Sequence, residues 1–201
     1  VRIAQVSFHI DSRNLTPEAL LDDWYSLTDM SEAVASTGHE VGAFLAHTRR
    51  ARIERSGISY FFLPSTGSGR AAARHEDLLH ELAAFAPNVI HVHGLGYPHE
   101  VTAIREKCPD AAILLQDHAS RVPRYWHRRA FRRGLAAADG VAFCALEQAQ
   151  PFRRAELFST NFQVFEIPEA TSRFTLGDKQ DARELTQLSG NPAVLSVGHL
   201  N

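Results

Sequence analysis

The stretch NVIHVHGLGYPHEV, residues 88–101, sets His91 and His93 two positions apart at the end of an apolar run, with Gly94, Gly96 and Pro98 close behind. An imidazole can ligate a metal, move a proton near neutral pH or donate a hydrogen bond to developing charge. A second run of this kind, LLQDH, closes on Asp117 and His118. His9 follows VSF and His47 follows AFLA, so four of the eleven histidines stand where apolar runs give out. Glu147 and Glu169 occupy similar positions further along.

Side chains alternate along a strand, so His91 and His93 share a face, with His91 the deeper of the two. His91 is expected beneath a helix, satisfied by a backbone carbonyl, and His93 at the lip. Gly94 and Gly96 would let a ligand approach the backbone. The amides that open the helix after Pro98 suit an anion. His-x-His with a downstream Asp-His carries enough donors for a metal. An inward-turned His91 and the lack of HExxH or a cysteine pair argue against it, and no metal is expected. The chain contains no G-x-S-x-G elbow and no G-x-x-x-x-G-K-[ST] loop. Gly67-Ser68-Gly69 does not extend to G-x-G-x-x-G, so a nucleotide kinase or a nicotinamide dehydrogenase is not expected.

The elements that must hold these residues alternate. VRIAQVSF, HEVGAFLA, GISYFFLP, VIHVH, AAILLQ, GVAFCA and FQVFEIP have strand composition. Between the first two, Thr16 as N-cap, Pro17 at the first helical position and Gly38 as a stop predict one helix. Leu78, Leu79, Leu82 and Phe85 recur at helical spacing. This order implies an α/β, Rossmann-like, doubly wound and mainly parallel sheet with helices on both faces. Ligands bind such sheets beyond the carboxyl ends of the strands, where strand order reverses. His9, His93, Gly94, Asp117, Glu147 and Glu169 are therefore candidates to contact substrate. Asp117 could equally cap the turn after its strand. Residues 1–175 are expected to form this domain, 176–191 a linker, and 192–201 the first strand of a second domain. An added edge strand on the first sheet is the alternative for that last segment.

The 201 residues are 44% hydrophobic and 22% charged, with a formal charge of −2, which leaves no electrostatic footprint for nucleic acid. Cys108 and Cys144 fit neither a zinc spacing nor a disulfide framework, so a reducing, cytoplasmic setting is expected. No apolar run approaches the ~20 residues of a membrane span. RVPRYWHRRAFRRG is locally basic, and on a helix Arg124, Arg128 and Arg132 share one face. It reads as a solvated face with Trp126 and Phe131 packed inward, or as a surface for a phosphorylated acceptor.

Taken in order, several segments resemble the family-four retaining glycosyltransferases of GT-B fold. They are GHEV, PNVIHVHG, LLQDHAS, FRRGLAAADGVAFCALEQAQPF, VFEIPEATSRF and AVLSVGHLN, and together they span nearly the whole chain. Phe8-His9-Ile10-Asp11 replaces that family's Gly-Gly loop, Glu169-Ala170 its Asn-Gly, and His199 an arginine. The resemblance implies the N-terminal, acceptor-side domain of a hexosyltransferase. The full enzyme would pass a sugar from a UDP- or GDP-sugar to an acceptor hydroxyl with retention. The donor would bind the C-terminal domain of the same chain, so no cofactor is expected here and this stretch alone would be inactive. By position, His118 resembles the family histidine beside the transferred sugar, and is the catalytic candidate.

The partners implied are a sugar, glycan or lipid-linked acceptor, not nucleic acid. Some relatives dock on anionic membranes through basic helices, which adds a peripheral membrane reading for Arg124–Arg133. Self-association through the terminal strand is also expected. A non-catalytic carbohydrate- or nucleotide-binding module and a metal-dependent hydrolase are the competing functions.

Overall fold

The apolar runs become strands β1 (Arg2–Ser7), β2 (Glu40–His47), β4 (Ile58–Pro64), β5 (Val89–His93), β6 (Ala112–Gln116), β7 (Gly140–Phe143) and β8 (Gln163–Glu166). A further strand, β3 (Ala51–Arg55), precedes β4. The helices are α1 (Pro17–Asp23), α2 (Tyr25–Ser36), α3 (Glu76–Phe85), α4 (Pro98–Lys107), α5 (Arg128–Ala137), α6 (Gln150–Arg154) and α7 (Lys179–Thr186). The structure is a computed structural model that describes residues 1–65, 75–118, 120–159, 162–167, 177–190, 192 and 194. It divides into two units, Val1–Thr171 and Ser172–Asn201. In the second, Asp178 caps α7 by accepting the amides of Gln180 and Asp181. The expected terminal strand lies, apart from Pro192 and Val194, outside the described residues.

The sheet order is β3-β4-β2-β1-β5-β6-β7-β8, and every pairing except β3 with β4 is parallel. Strand order reverses at β1, with β2 on one side and β5 on the other. Right-handed crossovers in opposite directions fall on opposite faces. Accordingly Leu20 and Leu21 of α1 and Leu27 of α2 join Val41, Ala43, Leu45, Tyr60 and Phe62 in one core. Leu78, Leu82, Val101, Ile104, Phe131, Leu135 and Phe152 of α3–α6 build the other, against Val6, Phe44, Val92, Leu115 and Val141.

Two departures from expectation have local causes. β3 is an edge strand with half-exposed, charged alternation, ARIER, and no apolar run to announce it. It joins β4 through Ser56 and Gly57, both at positive φ, as a tight hairpin turn requires. Its charges guard the exposed sheet edge. The helix expected over 16–38 is two helices. Thr16 does cap the first by accepting the Ala19 amide, but the helix breaks at Trp24, at φ −91 and ψ 54. The break lets Leu20 and Leu21 on one segment and Leu27 and Thr28 on the next all bury.

Helices α4 and α5 meet where Gly134 faces Pro98, the first residue of α4. A Cβ on Gly134 would lie 2.5 Å from Pro98 Cα and 2.8 Å from its carbonyl oxygen. Alanine is intrinsically the better helix residue by about 1 kcal/mol. The obstructing atoms are backbone and cannot yield, so overpacking should win. Gly134→Ala is expected to destabilise the protein by about 1–3 kcal/mol in denaturant unfolding; unchanged or raised stability would show that α4 and α5 separate freely.

Candidate functional site

The register aligns one face of the sheet in two rows. The first runs Tyr60, Ala43, Gln5, His91, Leu114, Gly140, and the second Phe62, Leu45, Ser7, His93, Gln116, Ala142. Over β2 and β4 these rows are apolar and lie under α1 and α2. From β1 onward they turn polar, and the face over β5 and β6 opens into a cavity of about 690 Å³. Its sheet side carries Ser7, His91, His93, Leu114 and Gln116, and its helix side Trp24, Leu27, Met30 and Val34. Ile167 and His118 complete its rim.

His93 and His118 therefore come together, as adjacent strand ends predict. His93 Nδ1 lies 3.2 Å from His118 Nε2, and His93 Nε2 lies 2.8 Å from Gln5 Oε1. An amide oxygen only accepts, so the His93 Nε2–H donates to Gln5. The Nδ1 of His93 is then the acceptor, and the His118 Nε2–H donates to it. A directed chain thus runs from exposed His118 through half-buried His93 to Gln5, which is 2% exposed. The rings stack along it, with centroids 5.5 Å apart for His93 and His118 and 4.6 Å apart for His91 and His93.

His91 is where expectation fails. It lines the cavity on the same face as His93, with Trp24, Met30 and Val34 on the cavity's other side. The single α1–α2 crossover lies over β2 and β4, and the other crossovers fall on the opposite face. Burial, then the neighbouring His118 charge, push the His91 imidazole down to about 4, opposed by a hydrogen bond with Gln116. Burial and the two neighbouring histidines hold His93 well below the ordinary range. Both rings are neutral at pH 7. Nε2 of His91 is buried with no hydrogen-bond partner among the described residues.

The other candidates fall at varying distances from this cluster. His9 is exposed beyond β1 and stacks on Trp24 at 5.5 Å. Its loop is pinned by Arg13, which bridges Asp11 and Asp23 at 2.6 Å each and holds the Asp11 carboxyl below its usual range. Gly94, at φ +94, donates its amide to the Gln116 carbonyl and turns the chain directly after His93. Asp117 is buried and accepts the Ser120 amide at 2.8 Å, holding the turn that carries His118. Glu147 is exposed on a one-turn helix beyond β7, away from the residues that line the cavity. Glu169 lies outside the described residues.

His47 is structural. Its Nδ1 accepts the Arg49 amide and its Nε2–H donates to the Leu15 carbonyl, tying β2 to the loop before α1. Trp126, expected to pack inward, is 68% exposed beside Tyr125 at 80%, while Phe131 is buried. The short 3-10 turn Tyr125–His127 carries both aromatics clear of α5, each near an arginine. The apolar wall of Trp24, Leu27, Met30 and Val34 and the Gln5 acceptor were not foreseen. Polar Gln5 and Ser7 inside an otherwise apolar strand were the available signal.

Among the described residues no group of three or more metal-ligating side chains is arranged to hold an ion, and no helix is long and apolar enough to cross a membrane. No protein-family model and no curated protein matches the chain.

His91 and its pH response yield a test. A histidine whose folded pKa lies below its unfolded value near 6.5 stays neutral in the fold while the unfolded chain takes up protons. Stability is then complete above about 6.5 and declines as pH falls toward the folded value of about 4. His91→Leu removes the unpartnered Nε2 together with the bond to Gln116 and substitutes a side chain of similar volume. It should change stability by less than about 1 kcal/mol at pH 7 and make the decline between pH 6.5 and 4 shallower. A large loss at pH 7, with the acid slope intact, would show that the His91 ring is worth more to the fold than its one bond to Gln116 accounts for.

Proposed function

We propose that this chain is the acceptor-side domain of a retaining glycosyltransferase of GT-B type. In this reading a sugar passes from a UDP- or GDP-sugar, held by a second Rossmann-like domain, to an acceptor hydroxyl. The observation that carries it is the His118–His93–Gln5 chain at the switch point of a parallel sheet, beside a cavity of small-molecule size. The family resemblance of the segments that bear His93 and His118 supports the same reading.

The chemistry needs what such a chain offers. The bond from the anomeric carbon to the donor phosphate breaks as a bond to the acceptor oxygen forms. Positive charge builds on the sugar and negative charge on the leaving phosphate. The acceptor's proton leaves with the departing phosphate or to solvent. Hydrogen-bonding groups held in place beforehand lower the barrier, because they need not reorganise as charge develops. His118 at the lip is the group placed to hold a reacting hydroxyl, and His93 fixes its ring through Nε2. Asp117, bonded to the Ser120 amide, holds the turn beneath.

The test is transfer by a protein that carries both halves of the fold, assayed with UDP- and GDP-hexoses. Loss of one such hydrogen-bonding group costs about 10²–10³ in rate. His118→Ala is expected to lower kcat by about that factor, with a smaller change in KM. Transfer undiminished in His118→Ala, or absent from the wild type with every nucleotide sugar, would exclude this function for the site.

A further inference from the structure

The cavity walls specify a substrate class. On one side stand Trp24, Leu27, Met30 and Val34, with Leu114 and Ile167 opposite. Most of the hydrogen-bonding groups, Ser7, His91, His93, Gln116 and His118, gather on the sheet side and at the lip, with Tyr25 and Ser26 at the start of α2 on the other side. Among the described residues, no aspartate, glutamate, lysine or arginine lines it. His91 and His93 do not supply that charge at pH 7, being held neutral by burial and then by neighbouring imidazoles.

A phosphorylated or carboxylated ligand would lose much of its hydration here and meet no arginine or lysine among the described lining residues in exchange. Such exchange is strongly unfavourable in a partly desolvated site. A small hydrophilic sugar would leave the apolar wall wet. The volume of about 690 Å³ falls within the roughly 300–1,000 Å³ of small-molecule sites, which join apolar walls to a few placed polar groups. The basic segment does not alter this, since none of Arg124, Arg128, Arg129, Arg132 or Arg133 lines the cavity.

We infer that the acceptor is an uncharged amphiphile. Its hydroxyl-bearing end meets His93 and His118, and its aromatic or aliphatic body lies along the Trp24–Met30 wall. This deepens the glycosyltransferase reading and rests on it for the word acceptor; the binding preference itself does not.

The test is binding to the wild-type chain at pH 7 by NMR titration. The probes are phenyl β-glucoside, monomeric octyl β-glucoside, glucose and glucose 6-phosphate. The glucosides with apolar aglycones should bind at least tenfold more tightly than glucose, and glucose 6-phosphate most weakly. Shifts should centre on the His93 and His118 rings and the Trp24 indole. Trp24→Ala should reduce the aglycone preference at least fivefold. Trp24 stands at the helix break, so Met30→Gln, within α2, serves as a second variant with the same expected direction. Equal or tighter binding of glucose 6-phosphate overturns the inference, as does a preference that neither variant lowers or a shift map away from the cavity. Amphiphile binding by a two-domain protein that transfers no sugar would sustain the inference and sink the transferase reading. Transfer to glucose 6-phosphate in preference to the glucosides would do the reverse.

Discussion

One constraint governs the layout: the crossovers must be right-handed, and strand order reverses at β1. The crossover toward β2 places α1 and α2 on one face. The crossovers toward β5, β6, β7 and β8 place α3 to α6 on the other. The face over β5 and β6 is thereby left without the cover that β2 and β4 receive. A hydrophobic surface there would be a liability. The chain instead changes polarity at β1, from Ala43 and Leu45 on β2 to Gln5 and Ser7, and then to His91 and His93. The candidate site is what that change of polarity looks like beside the end of α2.

The second dependence is on Gln5. Buried inside β1, its side-chain oxygen can only accept, so it selects the Nε2–H tautomer of His93. That choice leaves His93 Nδ1 to receive the Nε2–H of His118. A protonated His93 would give up an acceptor and place a charge beside two other imidazoles in a half-buried setting, so the chain of bonds and the neutrality of the ring sustain each other. The turn bearing His118 is held separately, by the Asp117 carboxylate on the Ser120 amide. Gly94 at positive φ returns the chain over the Gln116 carbonyl. The ring that faces solvent is therefore fixed from two directions.

Much of this was legible in the chain itself. Near-continuous apolar runs between helical patterns implied a doubly covered parallel sheet. Strand ends marked by Asp117-His118 and His93-Gly94 implied a shared edge. Three features were not legible, for physical reasons. β3 has no apolar run, because an edge strand buries only alternate side chains. The break at Trp24 lacks Gly or Pro, because burial of two faces rather than backbone preference causes it. Whether His91 meets a helix or the cavity depends on which face each crossover takes, and a strand's own residues do not record that. His47 shows the converse: its position at a strand end matches the site histidines, yet its two ring nitrogens are spent on the backbone.

Imidazole nitrogen NMR on the selectively labelled protein at pH 7 reads the hydrogen-bond chain directly. His93 should appear as a neutral ring with the proton on Nε2 and an acceptor-type Nδ1, and Gln5→Leu should abolish that tautomer preference. A His93 that is cationic, or that carries its proton on Nδ1, would contradict the directed chain from His118 to Gln5 and, with it, the site built on that chain.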